Sequence, residues 1–255
     1  MGKELAGEFP EARQVFDEVD EALGFSLSKL CFDGPAEELT LTHNAQPALL
    51  AHGAAAWKVV RSRIGSAVCA AAGHSLGEHT AYHAADATTL TDAVRLVRRR
   101  GQLMYEEGLN RPGAMAAVLG KLEQTIESLC EQASRNAGVV VPANYNTEEQ
   151  IVVSGEVSGV ERVMELAKEA GARRAVRLPV SGAFHSPLME PAVPGLAAAL
   201  MLKLLPFQRV SRPVTIYAGY RWHGCGYFCC VPLIHADPAD FESGSTDLSK
   251  KLRAN

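Results

Sequence analysis

The sequence predicts an α/β protein in two parts, a body built on parallel strands and a small βαββαβ subdomain inserted into it. Three observations carry that expectation. The apolar run Ala67 to Ala72, bounded by Gly65 and Gly73, passes through a glycine turn into a helical pattern, which is the grammar of parallel α/β structure. Beyond Pro112 the elements shorten and fall in the order strand, helix, strand, strand, helix, strand. The chain has 255 residues, 47% hydrophobic and 21% charged, enough to bury a substantial core.

Taken in order, Pro10 opens a helix in which Phe16, Val19 and Leu23 fall at helical spacing, and Gly24 ends it. An Ala- and Leu-rich pattern predicts a helix from about Pro47 to Arg63, broken by Gly65. Ala67 to Ala72 is short and apolar throughout, as a central parallel strand would be. Helix resumes from Glu78 to about Ala85. Thr89 with Asp92 forms a capping motif for the next helix, whose apolar stripe is Leu90, Val94, Val97 and Met104.

Strands are expected at Ala114–Leu119, Val139–Ala143, Gln150–Ser154 and Arg174–Pro179, and helices at Leu122–Ser134 and Gly159–Ala170. That order is the signature of a ferredoxin-like unit, here residues 113–179. Its crossings lie at Pro112-Gly113 and from Pro179 to Gly182, so the body comprises residues 1–112 and 180–214.

A formal charge of −4 with dispersed basic residues gives no nucleic-acid surface, and Arg98 and Arg99 of the run Arg98-Arg99-Arg100 read as a solvated helix face. Met1-Gly2-Lys3-Glu4 leads into an amphipathic acidic segment rather than a secretory leader. The longest apolar region, Gln46 to Val60, is too short to span a bilayer. A cytoplasmic, monomeric protein without membrane contact is expected. Cys31, Cys69 and Cys130 stand singly within apolar patterns, as buried free thiols do.

The segment richest in chemistry is Gly73-His74-Ser75-Leu76-Gly77, a Gly-x-Ser-x-Gly between the predicted strand and helix. Its glycines permit a sharp turn that presents the Ser75 hydroxyl, and the helix beginning there aims the N–H of Leu76 at the same point as an oxyanion donor. The alternative is a plain strand-to-helix turn. Ser75 needs a base, and His185, in the loop Ser181-Gly182-Ala183-Phe184-His185-Ser186-Pro187, is the candidate; a solvated loop histidine is the other reading. His74 adjoins the serine but points away in a tight turn, so it is read as lining the cleft. His43, His52, His79 and His83 lie in or beside helical patterns and are read as structural.

Six segments together carry a resemblance: Gly73-His74-Ser75-Leu76-Gly77-Glu78, Asn44-Ala45-Gln46-Pro47-Ala48, Arg99-Arg100-Gly101, Gly113-Ala114-Met115-Ala116-Ala117, Asn144-Tyr145-Asn146 and Phe184-His185-Ser186-Pro187-Leu188-Met189. From about Gly2 to Val214 the chain resembles the malonyl-CoA:acyl-carrier-protein transacylases. The resemblance implies an α/β-hydrolase-like body carrying a ferredoxin-like subdomain. It also implies ping-pong transfer of malonyl from malonyl-CoA to the carrier-protein thiol in fatty-acid synthesis, with Ser75 as nucleophile and His185 as base. Arg100 matches the residue that takes the malonyl carboxylate, which a guanidinium fork suits. Gln46 matches a cleft residue near the acyl group, and Phe184 resembles the form that accompanies malonyl rather than branched substrates. No metal and no cofactor is implied beyond the malonyl-CoA substrate.

Two departures from that family are expected to matter. Met1 aligns just after the family's amino-terminal strand and Gly-Gln-Gly-Ser-Gln loop, whose glutamine is an oxyanion donor. Residues 215–255 match nothing in the family, and their cluster Trp222-His223-Gly224-Cys225-Gly226-Tyr227-Phe228-Cys229-Cys230 fits no standard zinc spacing even with His235 added. An irregular tail is expected there. Two other functions compete: a non-catalytic relative that binds carrier protein or CoA, and a serine esterase, against which Arg100 and the inserted subdomain argue.

Overall fold

A computed structural model describes residues 1–68 and 70–203 of the chain. The first part is helical: α1 (Lys3–Glu8), α2 (Pro10–Leu23), α3 (Leu27–Asp33), α4 (Ala36–Thr40), α5 (Thr42–Ile64), α6 (Gly77–Ala84) and α7 (Leu90–Asn110). Pro10 sits in the first turn of α2, where its missing N–H costs nothing, and Gly24 closes the helix in the left-handed region at φ 73°. Ala12, Val15, Phe16 and Val19 of α2 are buried against Leu50, Ala51, Ala54 and Ala55 of α5 and Val94 and Val97 of α7, forming the core of this layer. Thr89 caps α7 as expected, its side chain accepting from the N–H of Asp92 at 3.1 Å.

Helix α5 begins at Thr42, five residues before the expected start, and carries Pro47 in its interior. A proline there removes the N–H that would bond the carbonyl of His43 one turn earlier. Arg98 of α7 supplies the replacement: its Nη1 donates to the His43 carbonyl at 2.5 Å and to Asn44 Oδ1, while its guanidinium lies 5.0 Å from the Phe25 ring centroid. Arg98 is therefore half-buried and structural rather than part of a solvated face, whereas Arg99 is exposed. The two helices approach closely at Gly101, where a Cβ would come within 2.6 Å of the His43 Cα and 2.8 Å of the Thr42 carbonyl oxygen. Only glycine permits that approach.

The second part runs β1 (Gly113–Leu119), α8 (Ile126–Asn136), β2 (Val140–Thr147), β3 (Gln150–Glu156), α9 (Val157–Glu169) and β4 (Arg174–Arg177). Its strands form one antiparallel sheet in the order β2-β3-β1-β4, the ferredoxin-like arrangement. Ala116 and Val118 of β1 and Val153 of β3 face the buried side chains Ile126, Leu129, Val160 and Val163 of α8 and α9. The opposite face, with Met115, Ala117, Ala143 and Val152, is met by Leu178 and Phe184. After β4 the chain forms a 3-10 helix (Pro187–Ala192) and α10 (Val193–Lys203).

The mixed α/β class is as expected, but the parallel strand at Ala67–Ala72 is not. Residues 70–72 and 67–68 have no strand conformation, and Ala67, Ala70 and Ala72 are exposed. A strand exists by its ladder bonds, and among the described residues none is aligned beside this segment, so its apolar character alone does not make it one. Cys31 and Cys130 are buried free thiols, with desolvation pushing them up to about 11 and about 12. The expectations for Cys69, residues 204–214 of the body, and the 215–255 tail with its cysteine cluster lie outside the described residues. Among those described, no helix is long and apolar enough to cross a membrane.

Candidate active site

Ser75 stands at the turn into α6, and the turn is shaped by what Gly73 lacks. A Cβ on Gly73 would lie 1.8 Å from the carbonyl carbon of Gly77 and 2.4 Å from the Glu78 nitrogen, so the chain folds back on itself only because no side chain is there. Ser75 adopts φ 52°, a left-handed conformation that costs a non-glycine residue about 1 kcal/mol or more. His185 does the same at φ 62°, in a loop fixed by Ser186, whose Oγ donates to the Ala183 carbonyl at 2.6 Å and accepts from the Leu188 N–H at 3.3 Å. Two of the three non-glycine residues with positive φ among those described thus face one another.

They meet at hydrogen-bond distance: Ser75 Oγ lies 3.1 Å from His185 Nε2. Arg100, projecting from α7 and only 3% exposed, donates from Nη2 to the same Oγ at 3.1 Å and from Nη1 to Gln46 Oε1 at 2.5 Å. Gln46 is itself anchored, its Nε2 donating to Thr42 Oγ1 at 3.0 Å and contacting Met104 Sδ at 3.4 Å. The guanidinium is therefore held from behind with one edge turned to the serine. Ser75, Arg100 and His185, as much as 110 positions apart, thus meet at one oxygen, with Gln46 behind the guanidinium.

Around them is a cleft of about 650 Å³ between the helical layer and the sheet face that carries Met115 and Val152. His74, Leu76 and Phe184 all line it, with Leu76 buried and Phe184 packed on the Met115 side. His74 Nε2 lies 2.6 Å from Asn144 Nδ2, a contact that ties the turn to β2. All seven sequence-derived site residues line or border this one space. The residues that the sequence reading assigned no place in the site are the supports: Thr42 and Met104 behind Gln46, and Asn144, quoted only as part of a resembling segment, behind His74. Asn144 and Asn146, polar side chains on a strand face otherwise apolar and both lining the cleft, were the available signal.

The electrostatics suit a neutral base. Removal from water pushes His185 down to about 3, and the charges of Arg100 and His74 add to that effect. The buried carboxyl of Glu78 is raised by desolvation, partly offset by the Tyr82 hydroxyl, which donates to its Oε1 at 2.6 Å, and by Arg100. A serine bonded to an uncharged imidazole and a buried guanidinium beside them can attack an acyl carbon and hold a carboxylate. Among the described residues no group of His, Cys, Asp and Glu is arranged to hold a metal ion.

Residues 1–223 match the family model described as the acyl transferase domain. The malonyl CoA-acyl carrier protein transacylase of Bacillus subtilis is 48% identical over 200 residues, covering 78% of this chain and 63% of that protein. Among solved structures, the malonyl CoA-acyl carrier protein transacylase from Coxiella burnetii superposes with a TM-score of 0.78 at 39% identity, covering 84% of this chain and 67% of that one. A malonyl-transacylase solved in complex with its type II PKS acyl-carrier protein gives 0.77 at 39% identity, covering 84% and 68%. The chain spans less than two thirds of the length of the curated relatives it matches.

Proposed function

We infer the reaction from one premise, that this chain belongs to the acyl transferase family. The reading is transfer of malonyl from malonyl-CoA to the phosphopantetheine thiol of an acyl carrier protein, in fatty-acid synthesis, through a malonyl ester on Ser75. The single observation that carries it is the pair of 3.1 Å contacts at Ser75 Oγ, one to a neutral base and one to a buried cation. His185 takes the serine proton as Oγ attacks the thioester carbon, and returns it to the departing CoA sulfur. The carrier-protein thiol then gives its proton to His185 and attacks the ester carbon; the new C–S bond forms as the bond to Oγ breaks, and Ser75 takes the proton back from His185.

The N–H of Leu76, at the start of α6, faces the developing oxyanion. Arg100 binds the malonyl carboxylate, exchanging its bond to Ser75 for a bidentate one. Gln46 holds that guanidinium, and His74 and Phe184 shape the acyl end of the cleft. The curated relatives bear the name of this reaction, and a carrier protein sits on one solved relative. The proposal includes no metal and no cofactor, and the setting is a cytoplasmic monomer.

Intact mass after brief incubation with malonyl-CoA tests the reading, with Ser75→Ala as control. One malonyl group added only to the unmutated protein is the expected result. Absence of the adduct in a folded sample would leave a relative that binds carrier protein or CoA without turnover.

A further inference from the structure

We propose that Gly113, the first residue of β1, is a positioning residue for His185: the space its missing side chain leaves is the seat of the loop that carries the base, and the fit there sets the distance from the imidazole to Ser75. The inference rests on the reading of Ser75 as acyl acceptor and His185 as its base. Of the segment Gly113-Ala114-Met115-Ala116-Ala117, which carries part of the family resemblance, only Met115 lines the cleft. Gly113 touches the chemistry at one remove.

Gly113 does not lie in the left-handed region, so it is not the backbone that calls for glycine. Proximity does. A Cβ there would stand 2.5 Å from the Ala183 Cβ, 2.7 Å from the Gly155 carbonyl oxygen and 3.3 Å from the Ala183 nitrogen. Two of these three atoms belong to the loop, and Ala183 is 0% exposed. Helix α7 closes in from another side, where a Cβ on Gly108 would come within 2.5 Å of the Ser181 carbonyl oxygen. The loop therefore lies between two bare backbone positions, one before and one after the crossing into the subdomain.

A push at Ala183 reaches His185 because the short stretch between them is tied at both ends. Ser186 Oγ donates to the Ala183 carbonyl at 2.6 Å and accepts from the Leu188 N–H at 3.3 Å, so Ala183, Phe184, His185 and Ser186 form one knot. His185 sits within it at φ 62°, a conformation that lasts only while its surroundings impose it. Bringing the 2.5 Å approach up to the tightest real Cβ contact, 3.0 Å, displaces the knot by about 0.5 Å. Carried to Nε2, that shift takes the 3.1 Å contact with Ser75 Oγ to about 3.6 Å, outside hydrogen-bond range.

The test is single-turnover malonylation read by intact mass over a range of malonyl-CoA concentrations, with a thermal melt to establish folding. Gly113→Ala should lower the saturating rate about tenfold or more while the half-saturating concentration stays within about threefold. Adding Ala183→Gly removes the methyl group that the new Cβ strikes but leaves the Gly155 carbonyl in place, and it should return the rate to within about threefold of Ala183→Gly alone. On a His185→Ala background, where a residual rate remains, Gly113→Ala should make no further difference, since the residue acts through the base. Ala183→Val presses on the same place from the loop side and gives the same comparison should Gly113→Ala not fold. A saturating rate within about threefold of the parent in a folded variant, no recovery with Ala183→Gly, or an equal slowing on the His185→Ala background overturns the proposal and leaves Gly113 as a packing position in the sheet. Failure of malonyl-CoA to label the unmutated protein is a separate result, and it removes the acyl-acceptor reading itself.

Discussion

Gly73→Ala and Gly77→Ala make opposite demands on the same five-residue turn. At Gly73 the added Cβ would stand 1.8 Å from the Gly77 carbonyl carbon, 1.9 Å from its oxygen and 2.4 Å from the Glu78 nitrogen. All three are backbone atoms, so no side chain can rotate aside. Reaching even the tightest real Cβ contact, 3.0 Å, requires the turn to open by more than 1 Å. Overpacking of this kind costs about 1–3 kcal/mol, and a displacement of about 1 Å at a reacting group costs on the order of 10²-fold in rate.

At Gly77 an added Cβ meets nothing within 4 Å and φ is not positive, so the alanine should fold normally and favour α6 by up to about 1 kcal/mol. Thermal melts and single-turnover malonylation of both variants provide the comparison. Gly73→Ala should melt lower and label about a hundredfold more slowly, while Gly77→Ala melts no lower than the parent. The account of the turn fails if Gly73→Ala labels within threefold of the parent, or if both alanines lower the melting point equally.

Three further outcomes follow from the same contacts. His79 and His185 are both held down to about 3, so below the ordinary histidine range the unfolded chain binds protons that the folded chain refuses; stability present above pH 6.5 should fall by on the order of 2 kcal/mol per histidine by pH 5, read from denaturant midpoints at the two pH values. Asn144→Ala removes the 2.6 Å bond to His74 and should cost about 1 kcal/mol in the same assay, with slower malonylation because the serine turn loses its tie to β2. Thr89→Ala deletes the cap of α7 and should lower stability by about 1 kcal/mol while leaving the labelling rate of folded protein unchanged, since the cap is three turns from Arg100.

The sequence made some elements legible because their causes are local. The Pro10 and Gly24 punctuation of α2, the Thr89 cap and the apolar stripe of α7, and the strand and helix order of the antiparallel sheet all depend on residues within a few positions of one another. The run Ala67–Ala72 was misread because strand character depends on a neighbour, which no local pattern supplies. The start of α5 was misread for a related reason, since Pro47 looks like a beginning until Arg98, 51 residues onward, is seen at the carbonyl it leaves open. In the cleft, Ser75, His185, Arg100 and Gln46 were named by motif and resemblance. The supports Thr42 and Met104 become visible only when the chain is folded, because nothing in their own neighbourhood marks them as such, whereas Asn144 stands in one of the resembling segments without a role attached to it.

Pro47 is usually counted as a loss in a helix, one rung fewer in the ladder. Here the missing rung is an address. Arg98 donates to the His43 carbonyl that Pro47 leaves without its helix bond, and Arg100, two positions on, is set opposite Gln46. Restoring the rung with alanine would strengthen α5 taken alone and bring a second donor to a carbonyl that Arg98 already holds. A slip of one helical turn, about 5.4 Å, would carry the guanidinium out of reach of the serine. The flaw in one helix is thus the measuring point from which the cleft is laid out.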